Sequence, residues 1–167
     1  MSSVELTGRS SPLGATVGPA GTNFSLFSRS ATSVELLFFD KADDHRPTRT
    51  VCIDPATNRT YHYWHIFVPG VQPGQIYGYR VQGPSDPTTG MRFDPAKVLL
   101  DPYGRTVVVP SSYSRDAASK AGDNAAMAMK SAVVDSRAYD WEGDTPLNGP
   151  SSRTIILRSR QNPKILG

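Results

Sequence analysis

One cysteine, three histidines and no apolar run of membrane length are the shortages of this 167-residue sequence. Each excludes something. A lone Cys52 cannot form an internal disulfide, and no cluster of thiolates can hold a metal. The apolar stretches are short, such as Val34-Glu35-Leu36-Leu37-Phe38-Phe39, which is interrupted by an acid. They fall well below the ~18 residues that cross a bilayer, so no membrane partner is expected. His62 and His65 are three apart, which on a strand sends the two rings to opposite faces, and His45 lies in a loop. No zinc site and no cofactor follow from that set. The opening Met1-Ser2-Ser3-Val4-Glu5-Leu6 lacks the basic and then apolar pattern of a signal peptide, so a cytoplasmic location is expected. Asn23-Phe24-Ser25 and Asn58-Arg59-Thr60 are then chance glycosylation triplets. Gly-x-Ser-x-Gly, phosphate-loop and dinucleotide patterns are missing too. A (β/α)₈ barrel takes at least ~200 residues and does not fit.

What is present points to a folded domain rich in turns. Glycine and proline number 14 each, about one residue in six, while 38% of residues are hydrophobic and 20% charged. The formal charge of +3 is unevenly placed. Residues 1–150 hold 14 basic and 15 acidic side chains, and residues 151–167 hold Arg153, Arg158, Arg160 and Lys164 with no acid. The body is neutral and only the last segment is basic. Four cations offer too few phosphate contacts for firm nucleic-acid binding, so none is expected.

The first 110 residues read as short strands between turns. Thr22-Asn23-Phe24-Ser25-Leu26-Phe27-Ser28 alternates, with Phe24 and Leu26 on one face. Val34-Glu35-Leu36-Leu37-Phe38-Phe39-Asp40 is more continuously apolar, as an interior strand would be. Thr50-Val51-Cys52-Ile53 gives a short third strand. Residues 61–68 and 75–82 are aromatic-rich runs joined by Pro69-Gly70-Val71-Gln72-Pro73-Gly74, which predicts a hairpin. Trp64, Ile66 and Val68 share one face, and Tyr77, Tyr79 and Val81 share one face of the partner, as core residues. Asp94-Pro95 and Asp101-Pro102 are turn formers, Val107-Val108-Val109 a sheet margin, residues 111–124 a loop, and residues 129–135 a last strand. The predicted fold is all-β, an antiparallel β-sandwich followed by an extended segment.

Paired carboxylates suited to glycoside chemistry are not evident. Asp140-Trp141-Glu142-Gly143-Asp144 places three acids about a tryptophan, and reads as a polar linker. Binding has better candidates, because sugars stack on flat rings beside polar groups. Tyr61, Tyr63 and His65 lie opposite the Trp64 face of their strand, and Arg80 lies opposite Tyr77 and Tyr79. Tyr61, Tyr63 and Arg80 are therefore the candidate carbohydrate-binding residues, with Tyr63 and Arg80 expected to share an exposed patch that either holds a glucan or packs on a neighbouring domain.

Several blocks resemble one family in order as well as in motif. These are Pro12-Leu13-Gly14-Ala15-Thr16, Gly21-Thr22-Asn23-Phe24-Ser25-Leu26-Phe27-Ser28 and Trp64-His65-Ile66-Phe67-Val68-Pro69-Gly70. Pro73-Gly74-Gln75-Ile76-Tyr77-Gly78-Tyr79-Arg80-Val81-Gln82-Gly83-Pro84 and Phe93-Asp94-Pro95-Ala96-Lys97-Val98-Leu99-Leu100-Asp101-Pro102-Tyr103-Gly104 continue the series. Together they resemble the opening of isoamylase-type and bacterial glycogen-debranching enzymes of the α-amylase superfamily. The resemblance implies an N-terminal immunoglobulin-like sandwich of the glycogen-binding type, from an enzyme hydrolysing α-1,6 branch points in glycogen or starch. It also implies boundaries: residues 1–11 a flexible N-terminus, 12–110 the sandwich, 111–150 a loop and linker toward a barrel, and 151–167 a basic tail. After Ile156 the family pattern of a Tyr-Glu-x-His first barrel strand is replaced by Leu157-Arg158-Ser159-Arg160. With no barrel, no catalytic residue carries over and no activity is expected. The expected partners are glycogen or another branched α-glucan and a catalytic barrel; a free-standing glucan-binding or regulatory module is the alternative.

Overall fold

The computed structural model describes residues 6–145 and Gly149; the basic tail, residues 151–167, lies outside these. Among the described residues, eleven strands run in chain order as β1 Gly14–Gly18, β2 Gly21–Phe27, β3 Ser33–Phe39, β4 Arg49–Ile53, β5 Arg59–Thr60 and β6 Tyr63–Pro69, then β7 Ile76–Gln82, β8 Ser85–Asp86, β9 Met91–Arg92, β10 Val107–Val108 and β11 Lys130–Ala132. Sheet A has the order β1-β2-β6-β5 and sheet B the order β10-β11-β7-β3-β4, while β8 and β9 pair as a small separate hairpin. The assigned pairings are antiparallel. The all-β, antiparallel sandwich expected from strand spacing, and the immunoglobulin-like form implied by the family resemblance, are the observed architecture. Among the described residues no helix is long and apolar enough to cross a membrane.

Alternation builds the core. β2 sets Phe24 against Ile66 and Leu26 against Trp64 in β6. β3 sets Leu36 against Tyr79 and Phe38 against Tyr77 in β7. Their inward side chains meet between the sheets, where Phe24 packs edge-on to Tyr77 at 5.0 Å and to Phe38 at 5.7 Å. Trp64, Ile66, Val68, Tyr77, Tyr79 and Val81 are all buried in this cluster, as their shared faces predict. β3 is apolar on both sides for a reason. Val34, Leu36 and Phe38 face the inter-sheet core, whereas Leu37 and Phe39 face a second cluster with Val98, Ala125 and Ala128 on the outer side of sheet B.

One expectation is overturned. Residues 61–68 and 75–82 do not form a hairpin: β6 pairs with β2 and β5 in sheet A, and β7 pairs with β3 and β11 in sheet B. The six-residue connection crosses the sandwich, spanning the ~10 Å between packed sheets. Its crossing is fixed by Gly70 N donating to Ala20 O (2.9 Å), Gly74 N to Val133 O (2.8 Å) and Thr22 Oγ1 to Val71 O (2.8 Å). Two strands that face each other across a core carry the same alternation as two that pair side by side.

Both outer faces are partly covered. Residues 6–10 cross sheet A, with Leu6 pairing to Phe67, the Asn23 side chain bonding both Arg9 N and Arg9 O, and Ser25 Oγ donating to Ser10 O. This cover leaves Asn23, Ser25 and His65 buried although they point away from the core. On sheet B, Leu99 pairs with Tyr79 through both backbone bonds. The chain there runs so close that a Cβ on Gly78 would sit 3.0 Å from Val98 Cγ1.

Candidate functional site

The tight turn between β5 and β6 gathers aromatic rings at one end of sheet A. Thr60 pairs with Tyr63, leaving Tyr61 and His62 as a two-residue loop. Tyr61 has φ +59°, a position where such hairpins usually place glycine. It is also 78% exposed. Its ring stacks on His62 at 3.8 Å, and Phe27 packs edge-on against both Tyr63 (5.3 Å) and His62 (6.1 Å). Arg59 braces the turn from below, its guanidinium 4.7 Å from the Trp64 ring centroid and its Nε donating to Tyr61 O at 3.0 Å. Four side chains, Phe27, Tyr61, His62 and Tyr63, thus form one continuous aromatic tip. His62 Nδ1 is buried there and unpaired among the described residues.

Of the sequence candidates, Tyr61 and Tyr63 come together and Arg80 does not join them. Arg80 stands on β7, on the outer face of the other sheet, so the expected Tyr63 and Arg80 patch does not form. Alternation says which side chains leave the core, but not which sheet they leave from. Arg80 is instead ion-paired to Asp123 at 2.5 Å. His65, expected to face outward with the tyrosines, is buried beneath residues 6–10 and its Nε2 lies 2.8 Å from Thr60 Oγ1. Burial pushes its pKa below the ordinary 6.5, against a smaller opposing effect of a Thr7 backbone hydrogen bond. Phe27 is absent from the sequence candidates, and His62 enters there only as one of a histidine pair whose rings diverge. The odd position of Phe27 after inward Phe24 and Leu26 was the available signal.

Beside the tip, at the junction of the sheets, lies an apolar groove of about 340 Å³ walled by Leu26, Phe27, Tyr79, Phe93, Leu99 and Pro102. Phe27 and Leu99 are well exposed on it. The Tyr79 hydroxyl is buried and unpaired among the described residues, and burial with the nearby Asp101 charge raises its pKa. Asp101 is itself buried, accepting from Tyr77 Oη (2.8 Å) and Tyr103 N (2.8 Å), and burial raises its pKa. Asp94 caps its own turn through Ala96 N at 2.9 Å. These two acids shape the chain and do not converge on a common point. Among the described residues no group of three or more His, Cys, Asp or Glu side chains is arranged to hold a metal. In the segment after Arg137, Tyr139 and Trp141 meet edge-on at 4.9 Å, both largely exposed, and Asp140 Oδ1 accepts from Glu142 N.

Comparison with known proteins places this geometry. The family described as carbohydrate-binding module 48 (isoamylase N-terminal domain) matches residues 12–104. The glycogen debranching enzyme of Serratia proteamaculans is 41% identical over an alignment 176 positions long, covering 96% of this chain and 25% of that protein. The glycogen debranching enzyme of Cronobacter sakazakii is 44% identical, covering 91% of this chain and 23% of that protein. The chain therefore spans about a quarter of the length of these relatives. Among solved structures, the product complex of SpuA, a multi-modular glycogen-degrading pneumococcal virulence factor, superposes with a TM-score of 0.57 at 21% identity. It aligns over 83% of this chain and 13% of its own. A pullulanase from Paenibacillus barengoltzii in complex with maltohexaose and alpha-cyclodextrin gives 0.54 at 21% identity, over 82% of this chain and 17% of its own. Sandwich, motif order and matched span agree, and the chain belongs to the carbohydrate-binding module 48 family, as an N-terminal module of the kind carried by glycogen debranching enzymes.

Proposed function

We propose that this chain serves glycogen debranching as a binding module, holding an α-glucan on the aromatic tip of sheet A rather than cleaving it. One observation carries the reading: Tyr61 is held largely in solvent at a positive φ, against the cost of about 1 kcal/mol that a non-glycine residue meets there. With Tyr63 and Phe27 it offers flat rings to the C–H faces of successive glucose units. Arg80, engaged by Asp123 on the opposite sheet, has no part in this site. A cytoplasmic setting, where glycogen is stored and a single exposed thiol such as Cys52 stays reduced, suits this role. Electrophoresis through a native gel cast with glycogen tests it. Retardation is expected for the native chain, is lost in Tyr61→Ala and Tyr63→Ala, and persists in Arg80→Ala. Retardation unchanged in both tyrosine variants would refute the assignment.

A second contact is supported by the apolar groove. Its walls carry no charge and few hydrogen-bonding groups, which suits polypeptide better than sugar. We place there the packing surface for a catalytic barrel.

A further inference from the structure

Residues 111–128 lie over the outer face of sheet B, and hydrogen bonds rather than apolar packing hold them there. Their buried apolar side chains are three alanines, Ala117, Ala125 and Ala128. Methyl groups remove little area from water, whereas ordering each backbone residue costs roughly 1–2 kcal/mol. Two buried lysines compensate. Lys97 is 6% exposed, and its Nζ donates to Ala117 O (3.0 Å), Gly122 O (2.6 Å) and Lys120 O. Lys130 is fully buried, and its Nζ donates to Ala125 O (2.5 Å), Ala128 O (3.4 Å) and Ala42 O (2.5 Å). Neither ammonium is ion-paired to a carboxylate among the described residues. Each uses its three protons on three carbonyls, as a bound cation uses its ligands.

The remaining ties are also polar. Asp43 Oδ1 accepts from Ser111 N (2.7 Å) and Ser111 Oγ (2.6 Å). Asn124 accepts from Val98 N at 2.7 Å and donates to Val98 O at 3.4 Å. Asp123 holds Arg80. Beneath this cover lie Leu37, Phe39 and Val98, a cluster separate from the core between the sheets.

We propose that residues 111–128 are a strap that opens as a unit of its own, latched shut by the Lys97 ammonium in its cage of carbonyls. While closed, it keeps the Arg80 guanidinium on Asp123 and covers Leu37, Phe39 and Val98 on the outer face of sheet B. Opening releases Arg80 and bares Leu37, Phe39 and Val98 without disturbing the inter-sheet core. The strap is therefore the movable part of the module, and the Leu37, Phe39 and Val98 cluster of sheet B is available only in its open state.

Amide hydrogen exchange of the whole 167-residue chain, read by mass spectrometry, tests this. In the native chain, amides of residues 111–128, with the Val98 amide that bonds Asn124, should exchange at least about tenfold faster than those of β2 and β6. Lys97→Met should speed the strap and Val98 by about tenfold or more and leave β2 and β6 within about twofold. In Lys97→Ala, added methylammonium should restore protection by supplying the missing cation to the cage. Strap amides that exchange only together with β2 and β6 would overturn the proposal. So would a Lys97→Met chain with unchanged strap exchange, or one whose sandwich fails to fold, since the strap would then belong to the global unit.

Discussion

His65 shows how one residue ties the outer cover to the sandwich. Burial favours the neutral form of its imidazole in the fold and holds its pKa below 6.5. Above that pH neither the folded nor the unfolded chain carries the charge, and the contribution of His65 to stability is fully present. As pH falls below about 6.5 the unfolded chain binds the proton first, so stability is lost down to the depressed folded value. Urea midpoints at pH 7.5 and 5.5 should therefore fall more for the native chain than for His65→Gln; parallel losses would show that His65 is not the group responsible. Sequence reasoning found the outward direction of His65 and missed its burial, because residues 6–10 have no strand periodicity to announce where they lie. Tyr61 was legible as an exposed aromatic. Its positive φ was not, since that follows from a two-residue connection whose strand, β5, is only two residues long.

At the scale of elements, hairpin and crossing are the instructive pair. Gly18-Pro19-Ala20-Gly21 makes the turn between β1 and β2, where Gly18 pairs with Gly21. Gly21 has no room to be anything else: a Cβ there would lie 2.3 Å from Val68 O, inside the neighbouring strand. Gly21→Ala should destabilise by more than about 1 kcal/mol, read as a lower urea midpoint with unchanged slope, and a neutral result would contradict the packing of β2 on β6. The second turn-rich stretch, residues 69–74, has equally strong turn composition and yet carries the chain between sheets. Local chemistry specifies that the chain turns. Only the pairing partners, β2 for one strand and β3 for the other, decide whether it returns to the same sheet. β3 was readable as interior because both its faces are apolar, and the outer cluster under the strap is the physical cause.

For the molecule as a whole, the exposed apolar groove has a measurable consequence. Phe27 and Leu99 stand 42% and 44% exposed on it, and an uncovered surface of that kind promotes association. Sedimentation velocity from low to high micromolar concentration should show reversible self-association that Leu99→Glu reduces. A native chain that stays monomeric throughout would count against a packing surface there. The sandwich class, its core and the family resemblance were all legible, because short alternating strands and their order survive in one dimension. The aromatic tip was half legible: Tyr61 and Tyr63 are neighbours in sequence, whereas Phe27 joins them only through the register of β2 on β6, which sets Phe27 opposite Tyr63.

The two tryptophans have opposite fates, Trp64 with none of its surface in water beneath Arg59 and Trp141 with 64% of its surface in solvent. Their fluorescence is accordingly sorted in advance. Trp64, in an apolar, cation-capped site, should emit at short wavelength and be shielded from iodide, while Trp141 should emit to the red and be quenched. A single emission spectrum therefore carries its own reference, the red component marking exposed indole and the blue component vanishing only when the two sheets come apart.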